Sequence, residues 1–283
     1  TTLFRSLYGK FNKGKILEES KQNIQEAYDV FKEFNDVFGY KSFNLSPAQK
    51  ELEHLIHNNT LVFCKGSAGT GKSTAVLYAF IKEYLRDKNK QIIVVRTPAE
   101  SAGQDMIGYL PSDLSAKIEP HFSSVKVLLE ELLNKGKVEC DLGTRIHFKI
   151  PNFMLGSTLK NSLVVIDEAQ MINPKIMKLL LERLGEDTKC VVLGDSSQVY
   201  SNNTDRNGLD SAISKFFYKS YLNDLEPKFD DIAYFEFQSK DVMRSAICRK
   251  VIMAYNGEID VDNAKALEIA ERRLKSLEDK HAD

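Results

Sequence analysis

The chain of 283 residues has no C-x-x-C pair, no long apolar run and no surplus of positive charge. Its four cysteines, Cys64, Cys140, Cys190 and Cys248, stand far apart. That spacing argues against a disulfide framework or a zinc site, and buried, reduced thiols are the expectation. No stretch approaches the ~20 apolar residues of a membrane span. The first residues lack the basic-then-apolar layout of a secretory signal. A cytoplasmic protein with no membrane partner is expected. The net charge of -1 leaves no global basic footprint for nucleic acid, although a local groove stays open. Internal repeats and low-complexity tracts are absent as well. What is present is 42% hydrophobic and 28% charged residues, the profile of a soluble globular protein of one large domain or two modest ones.

The chain is organised around Gly66-Ser67-Ala68-Gly69-Thr70-Gly71-Lys72-Ser73, which fits G-x-x-x-x-G-K-[ST] at every fixed position. Leu61-Val62-Phe63-Cys64 before it reads as a buried strand, and the run from Thr74 to Phe80 as the start of a helix. Strand, glycine loop and helix suit a polyphosphate. The helix start offers unpaired N–H groups and a positive dipole end, and the loop folds its own N–H groups into a nest. Residues from Gly66 to Thr74 form the expected nucleotide-binding set. Lys72 would reach the β- and γ-phosphates and Ser73 would hold Mg²⁺. Upstream, Ser46 reads as an N-cap and Pro47 as a first helical residue. Gln49, just beyond them, carries a donor and an acceptor that match the edge of adenine.

Leu163-Val164-Val165-Ile166-Asp167-Glu168 is the second chemical element. Four apolar residues make a strand buried on both faces, and two carboxylates end it. Asp167 would hold Mg²⁺, and Glu168 would orient or deprotonate the attacking water. A further strand from Lys189 ends in Gly194-Asp195, with Gln198 beyond. Asp195 and Gln198 either sense the γ-phosphate and the metal shell, or cap a turn. Gln91 to Val95 is another strand. Arg96 at its end is a phosphate contact or a plain charged strand end, and it is also the candidate nucleic-acid residue. Ser112 to Asn134 reads as helical except around Pro120, and Arg145 to Ile150 as a half-buried strand. Ile232 to Phe237 is the last clear strand. A helix is expected from Ser239, with Arg244 near its start and Arg249 and Lys250 along it. Residues 1–43 interleave aromatics with positive charge ahead of an amphipathic helix from Ile16 to Val37, and a charged tail follows Gly257.

The order of Gln49, the phosphate loop, Asp167-Glu168-Ala169-Gln170 and Gly194-Asp195-Ser196-Ser197-Gln198 resembles the superfamily 1 helicase-type ATPases. It resembles more closely the PhoH-like family of P-loop ATPases. The resemblance runs from about Gly66 to Tyr255. It includes Gly108-Tyr109-Leu110-Pro111-Ser112-Asp113-Leu114, Gly208-Leu209, Asp241-Val242-Met243-Arg244 and Ile252-Met253-Ala254-Tyr255. It implies an α/β, RecA-like core of mainly parallel strands with helices on both faces, spanning residues 44–257. Helical extensions would flank it at 1–43 and 258–283. It also implies ATP and Mg²⁺ as ligands and a homo-oligomeric ring, six subunits by expectation, with ATP at subunit boundaries. Matched to the family's last arginine motif, Arg244 becomes the candidate arginine finger acting on a neighbour's nucleotide, a role typically worth ~10³–10⁵ in rate. Relatives often carry arginines where this chain has Leu155 and Ser157, which makes helicase activity less secure than ATPase activity.

Three functions follow from these motifs. The first is a Mg²⁺-dependent ATPase coupled to RNA or single-stranded nucleic acid. The second is a small-molecule kinase, which would need an acceptor pocket and a lid that no segment suggests. The third is an ATP-gated ring or interaction protein with slow turnover.

Overall fold

The computed structural model describes residues 43–97, 114–154, 156, 158–198, 207–221, 224–257, 268–269 and 271–272. The expected helix from Ile16 to Val37, the stretch from Gly108 to Asp113, Leu155, Ser157 and most of the tail lie outside the described residues.

Chain order is α1 (Pro47–Asn58), β1 (Leu61–Lys65), α2 (Lys72–Arg86), β2 (Gln91–Arg96), α3 (Leu114–Leu132), α4 (Lys135–Asp141), β3 (Ile146–Lys149) and β4 (Ser162–Asp167). It continues with α5 (Pro174–Leu181), β5 (Lys189–Gly194), α6 (Gly208–Phe216), β6 (Phe217–Lys219), β7 (Leu225–Pro227), β8 (Ile232–Glu236) and α7 (Ala246–Tyr255). Six strands form one sheet in the order β3-β2-β4-β5-β1-β8, and every pair is parallel. The short β6–β7 pair is antiparallel.

Alternate strand residues face opposite ways, so the sheet feeds two cores. Val62, Cys64, Val94, Val165 and Leu193 pack with α1, α2, α3 and α4. Phe63, Val95, Val164, Ile166 and Val192 pack with α5 and α6. This is the α/β, RecA-like arrangement, with helices on both faces. β4 is buried along its whole length, and its central residues Leu163 to Ile166 are apolar, as a parallel strand covered on both sides requires. All the catalytic-type residues then emerge at one edge, where the C-terminal ends of the strands meet the loops.

The α1 start matches its sequence signals. Ser46 and Gln49 form a reciprocal capping box, with Pro47 in the first turn. Three expectations are corrected. First, α3 runs through Pro120 without a break. The ring removes one hydrogen bond on an exposed face, while Phe122, Val125 and Leu129 bury the other face and hold the helix together. Second, no long helix starts at Ser239. Ser239–Asp241 is a single 3₁₀ turn, and α7 starts only after Ser245, whose Oγ caps the N–H of Cys248 at 3.1 Å. Third, Cys64 and Cys190 are buried but Cys140 is exposed and Cys248 half-buried. Burial pushes the Cys64 thiol up to about 12, so it stays protonated.

Candidate nucleotide site

The phosphate loop leaves β1 and closes onto α2. Gly71 caps α2 with φ of 78°, and Gly69 has φ of 82°. Both are left-handed conformations that a side chain disfavours. A Cβ on Gly71 would also lie 2.2 Å from Nε2 of Gln49. The Lys72 ammonium folds back on the loop, donating to the carbonyls of Gly66 at 2.6 Å and Ser67 at 2.9 Å. Thr70 is buried and donates to the Ser67 carbonyl at 3.0 Å. An ammonium braced this way stands inside the loop.

A cavity of 440 Å³ brings together Ala68, Gly69, Gly71, Lys72, Ser73 and Thr74 from the loop with Arg96, Asp167, Glu168, Gly194, Asp195, Gln198 and Arg244. Gly66 and Ser67 line a smaller neighbouring cavity of 210 Å³. The carboxylates reach the loop from a distance in the sheet, because β5 lies between β4 and β1.

Asp167 is buried, and its Oδ1 accepts from the Glu168 N–H at 3.0 Å. Burial pushes its carboxyl above the usual aspartate range, and nearby Glu168 adds to this, while Arg96 opposes it. A buried carboxylate with Nη1 of Arg96 4.0 Å from its Oδ2, in one cavity with the Ser73 hydroxyl, suits a hard divalent cation. Glu168 takes left-handed backbone angles, φ 51° and ψ 42°, uncommon for a residue with a side chain. Its Oε1 lies 3.1 Å from Nη2 of Arg96, and its Oε2 accepts from Nε2 of Gln170 at 2.7 Å. Gln170 Oε1 in turn accepts from the Asp195 N–H at 3.1 Å. Asp195 gathers the turn after β5: its Oδ1 accepts from the Ser197 N–H at 3.0 Å and its Oδ2 from Gln198 Nε2 at 2.9 Å. The pair therefore caps the turn, and it also lines the cavity.

Three predicted residues have partners that the sequence does not disclose. Gln49 is buried, and the chain itself uses its carboxamide. Oε1 accepts from the Ser46 N–H at 3.0 Å, and Nε2 donates to the carbonyls of Thr70 at 3.3 Å and Gly71 at 3.4 Å. In this arrangement its adenine-matching edge is spent on the phosphate loop. Arg96 turns inward to Glu168 and α3 rather than out towards a nucleic-acid strand. Arg244 lines the cavity of its own chain. A Cβ on Gly69 would lie 2.8 Å from its Cβ, and the neighbouring Met243 N–H donates to the Gly69 carbonyl at 2.9 Å. The reason is the short 3₁₀ turn, which lets residues 242–244 run along the loop with Val242 buried. The sequence assigns Gln170 no role: its spacing after Glu168 is visible there, but its two partners are not.

A family model described as PhoH-like protein matches residues 44–256. The chain belongs to the PhoH-like family. A PhoH-like protein of Synechocystis is 29% identical over 240 residues, 84% of this chain and 68% of that protein. A PhoH-like protein of Bacillus subtilis is 32% identical, over 74% of this chain and 62% of its own length. Protein PhoH of Escherichia coli K12 is 31% identical, over 75% and 58%. This PhoH-like chain thus spans little more than half to about two thirds of these relatives. Among solved structures, Pif1 helicase from Candida albicans aligns with a TM-score of 0.38 and 16% identity, over 80% of this chain and 47% of that one. Bacteroides Pif1 bound to ssDNA aligns with a TM-score of 0.35 and 17% identity, over 80% and 49%. Among the described residues, no helix is long and apolar enough to cross a membrane.

Proposed function

We propose that this PhoH-like chain is a Mg²⁺-dependent ATPase that splits ATP into ADP and phosphate and couples the reaction to RNA or single-stranded nucleic acid. The observation that carries the reading is the shared cavity, where Lys72 and Ser73 meet Asp167, Glu168, Asp195, Gln198 and Arg244. Main-chain N–H groups of the loop and the start of α2 bind the phosphates. Lys72 exchanges its bonds to the Gly66 and Ser67 carbonyls for phosphate oxygens. Ser73 and Asp167 would hold a magnesium ion, which would supply charge neutralisation for the phosphates. Glu168 accepts a proton from the water that attacks the γ-phosphorus as the bond to the bridging oxygen breaks. Gln198 orients that water or the γ-phosphate. Arg244 stabilises charge spreading over the transferred group, within its own chain.

The nucleic-acid partner rests on the motif order shared with superfamily 1 helicase-type ATPases. A homo-oligomeric ring, with residues 1–43 and 258–283 outside the 44–257 core, is part of the same proposal. It is supported by α7, which buries no residue and exposes Met243, Ile247, Val251 and Tyr255 on or just before it at four-residue spacing.

The test is phosphate release by purified protein with and without Mg²⁺, single-stranded RNA and DNA. Turnover that needs Mg²⁺, rises with one of the strands, disappears in Lys72→Ala and falls ~10²–10⁴-fold to a residual rate in Glu168→Gln is expected. Normal hydrolysis in Glu168→Gln would remove the water-activation role. An unchanged rate with both strands would leave the slow, ATP-gated assembly protein as the better reading.

A further inference from the structure

The Glu168 carboxylate is held from two sides, by Nη2 of Arg96 on Oε1 and by Nε2 of Gln170 on Oε2. A carboxylate has about four lone-pair sites, so two donors fix its plane and still leave one site open on each oxygen. The backbone beneath it is in the left-handed region and depends on its surroundings to stay there. Arg96 is itself anchored. Its Nη1 donates to the His121 carbonyl at 3.3 Å and to Ser124 Oγ at 3.2 Å, both on α3, and its backbone is in register with Asp167 across β2 and β4. A guanidinium can bridge two such partners because its donors form a rigid fork.

We infer that Arg96 is a positioning residue: it ties Glu168 to α3 and holds the carboxylate where it can take a proton from water. The inference rests on Glu168 being the general base proposed above. It assigns Arg96 neither to nucleic acid nor to the nucleotide's phosphates. It also makes α3 a lever on the reaction, since any shift of His121 and Ser124 is passed through one side chain to the base.

Steady-state and single-turnover ATP hydrolysis by Arg96→Ala, Arg96→Lys, Ser124→Ala, Glu168→Gln and Arg96→Ala/Glu168→Gln test this. A misplacement of about 1 Å can cost ~10²-fold, so Arg96→Ala is expected to lower kcat about 10- to 100-fold. Because Nη1 of Arg96 also lies 4.0 Å from Oδ2 of Asp167, the KM for ATP should rise, but by much less than kcat falls. Ser124→Ala should show a smaller fall of the same kind. Arg96→Lys should not restore the rate, since an ammonium lacks the fork. In the Glu168→Gln background, Arg96→Ala should cost nothing more, because it acts through the group already removed.

An unchanged or raised kcat in Arg96→Ala overturns the inference. So does a KM that worsens as much as kcat falls, which would make Arg96 a phosphate contact, or an undiminished further loss in the double variant. A wild-type protein that binds ATP without turnover sinks the hydrolytic reading and the role of Arg96 together. An active wild type with an unaffected Arg96→Ala sinks the role of Arg96 alone.

Discussion

The Met243 N–H donates to the Gly69 carbonyl at 2.9 Å, and this bond lays the segment carrying Arg244 along the phosphate loop of its own chain. Arg244→Ala is expected to lower turnover by ~10³ or more, as loss of an arginine at a transferring phosphoryl group does. Under the proposal that Arg244 acts within its own chain, mixing Arg244→Ala subunits with Lys72→Ala subunits should restore nothing. Activity recovered in the mixture would show the residue acting on a neighbour.

Gly71 and Gly143 make a matched pair. Both have left-handed backbones, with φ of 78° and 81°, but a Cβ meets Gln49 Nε2 at 2.2 Å in the first case and nothing within 4 Å in the second. Gly143→Ala should cost about 1–2 kcal/mol of stability, the price of the backbone alone, and leave ATP affinity unchanged. Gly71→Ala should also weaken ATP binding at least ~10-fold, since the loop or the Gln49 latch must move. Chemical denaturation and equilibrium binding of a labelled nucleotide separate the two.

Asp167 sets stability against function. Folding raises its pKa, chiefly by burial. A group raised in this way contributes fully below its unfolded pKa and loses that contribution as pH rises through the folded value. At neutral pH its charge therefore opposes folding of the metal-free protein. Asp167→Asn should raise the metal-free Tm near pH 7 and abolish the Mg²⁺ dependence of ATP binding. A lower Tm in calorimetry would contradict this.

Glu83 works the other way. Nearby His57, whose Nδ1 lies 3.7 Å from Oε1, is the main cause that lowers it from 4.5 to about 2, with Lys189 Nζ 2.7 Å away also contributing. Its stabilisation is present above 4.5 and is lost as pH falls towards 2. Urea denaturation between those limits should show a weaker pH dependence in Glu83→Gln than in the wild type, with the two converging at the acid end.

Much of the fold was legible because its signals are local. β1, β2, β4 and β5 are continuous apolar runs, as strands covered on both faces must be. The three-residue strands β6 and β7 carry no comparable signal, and α3 crosses Pro120 only because distant core contacts hold it. The loop from Gly66 to Ser73 was readable because a phosphate cradle is made by adjacent main-chain groups. Arg96 was visible as a charge, but Glu168 lies 72 residues away in sequence.

The amino-acid order alone settled the P-loop, the carboxylates at the end of β4 and the α/β class, since each depends on neighbours within a few residues. Tertiary structure alone decided which partner each polar side chain meets. It turned Gln49 onto Gly71, Arg96 onto Glu168 and Arg244 onto its own loop. Such pairings depend on strand order and on one short turn at 239–241, and no local periodicity encodes either.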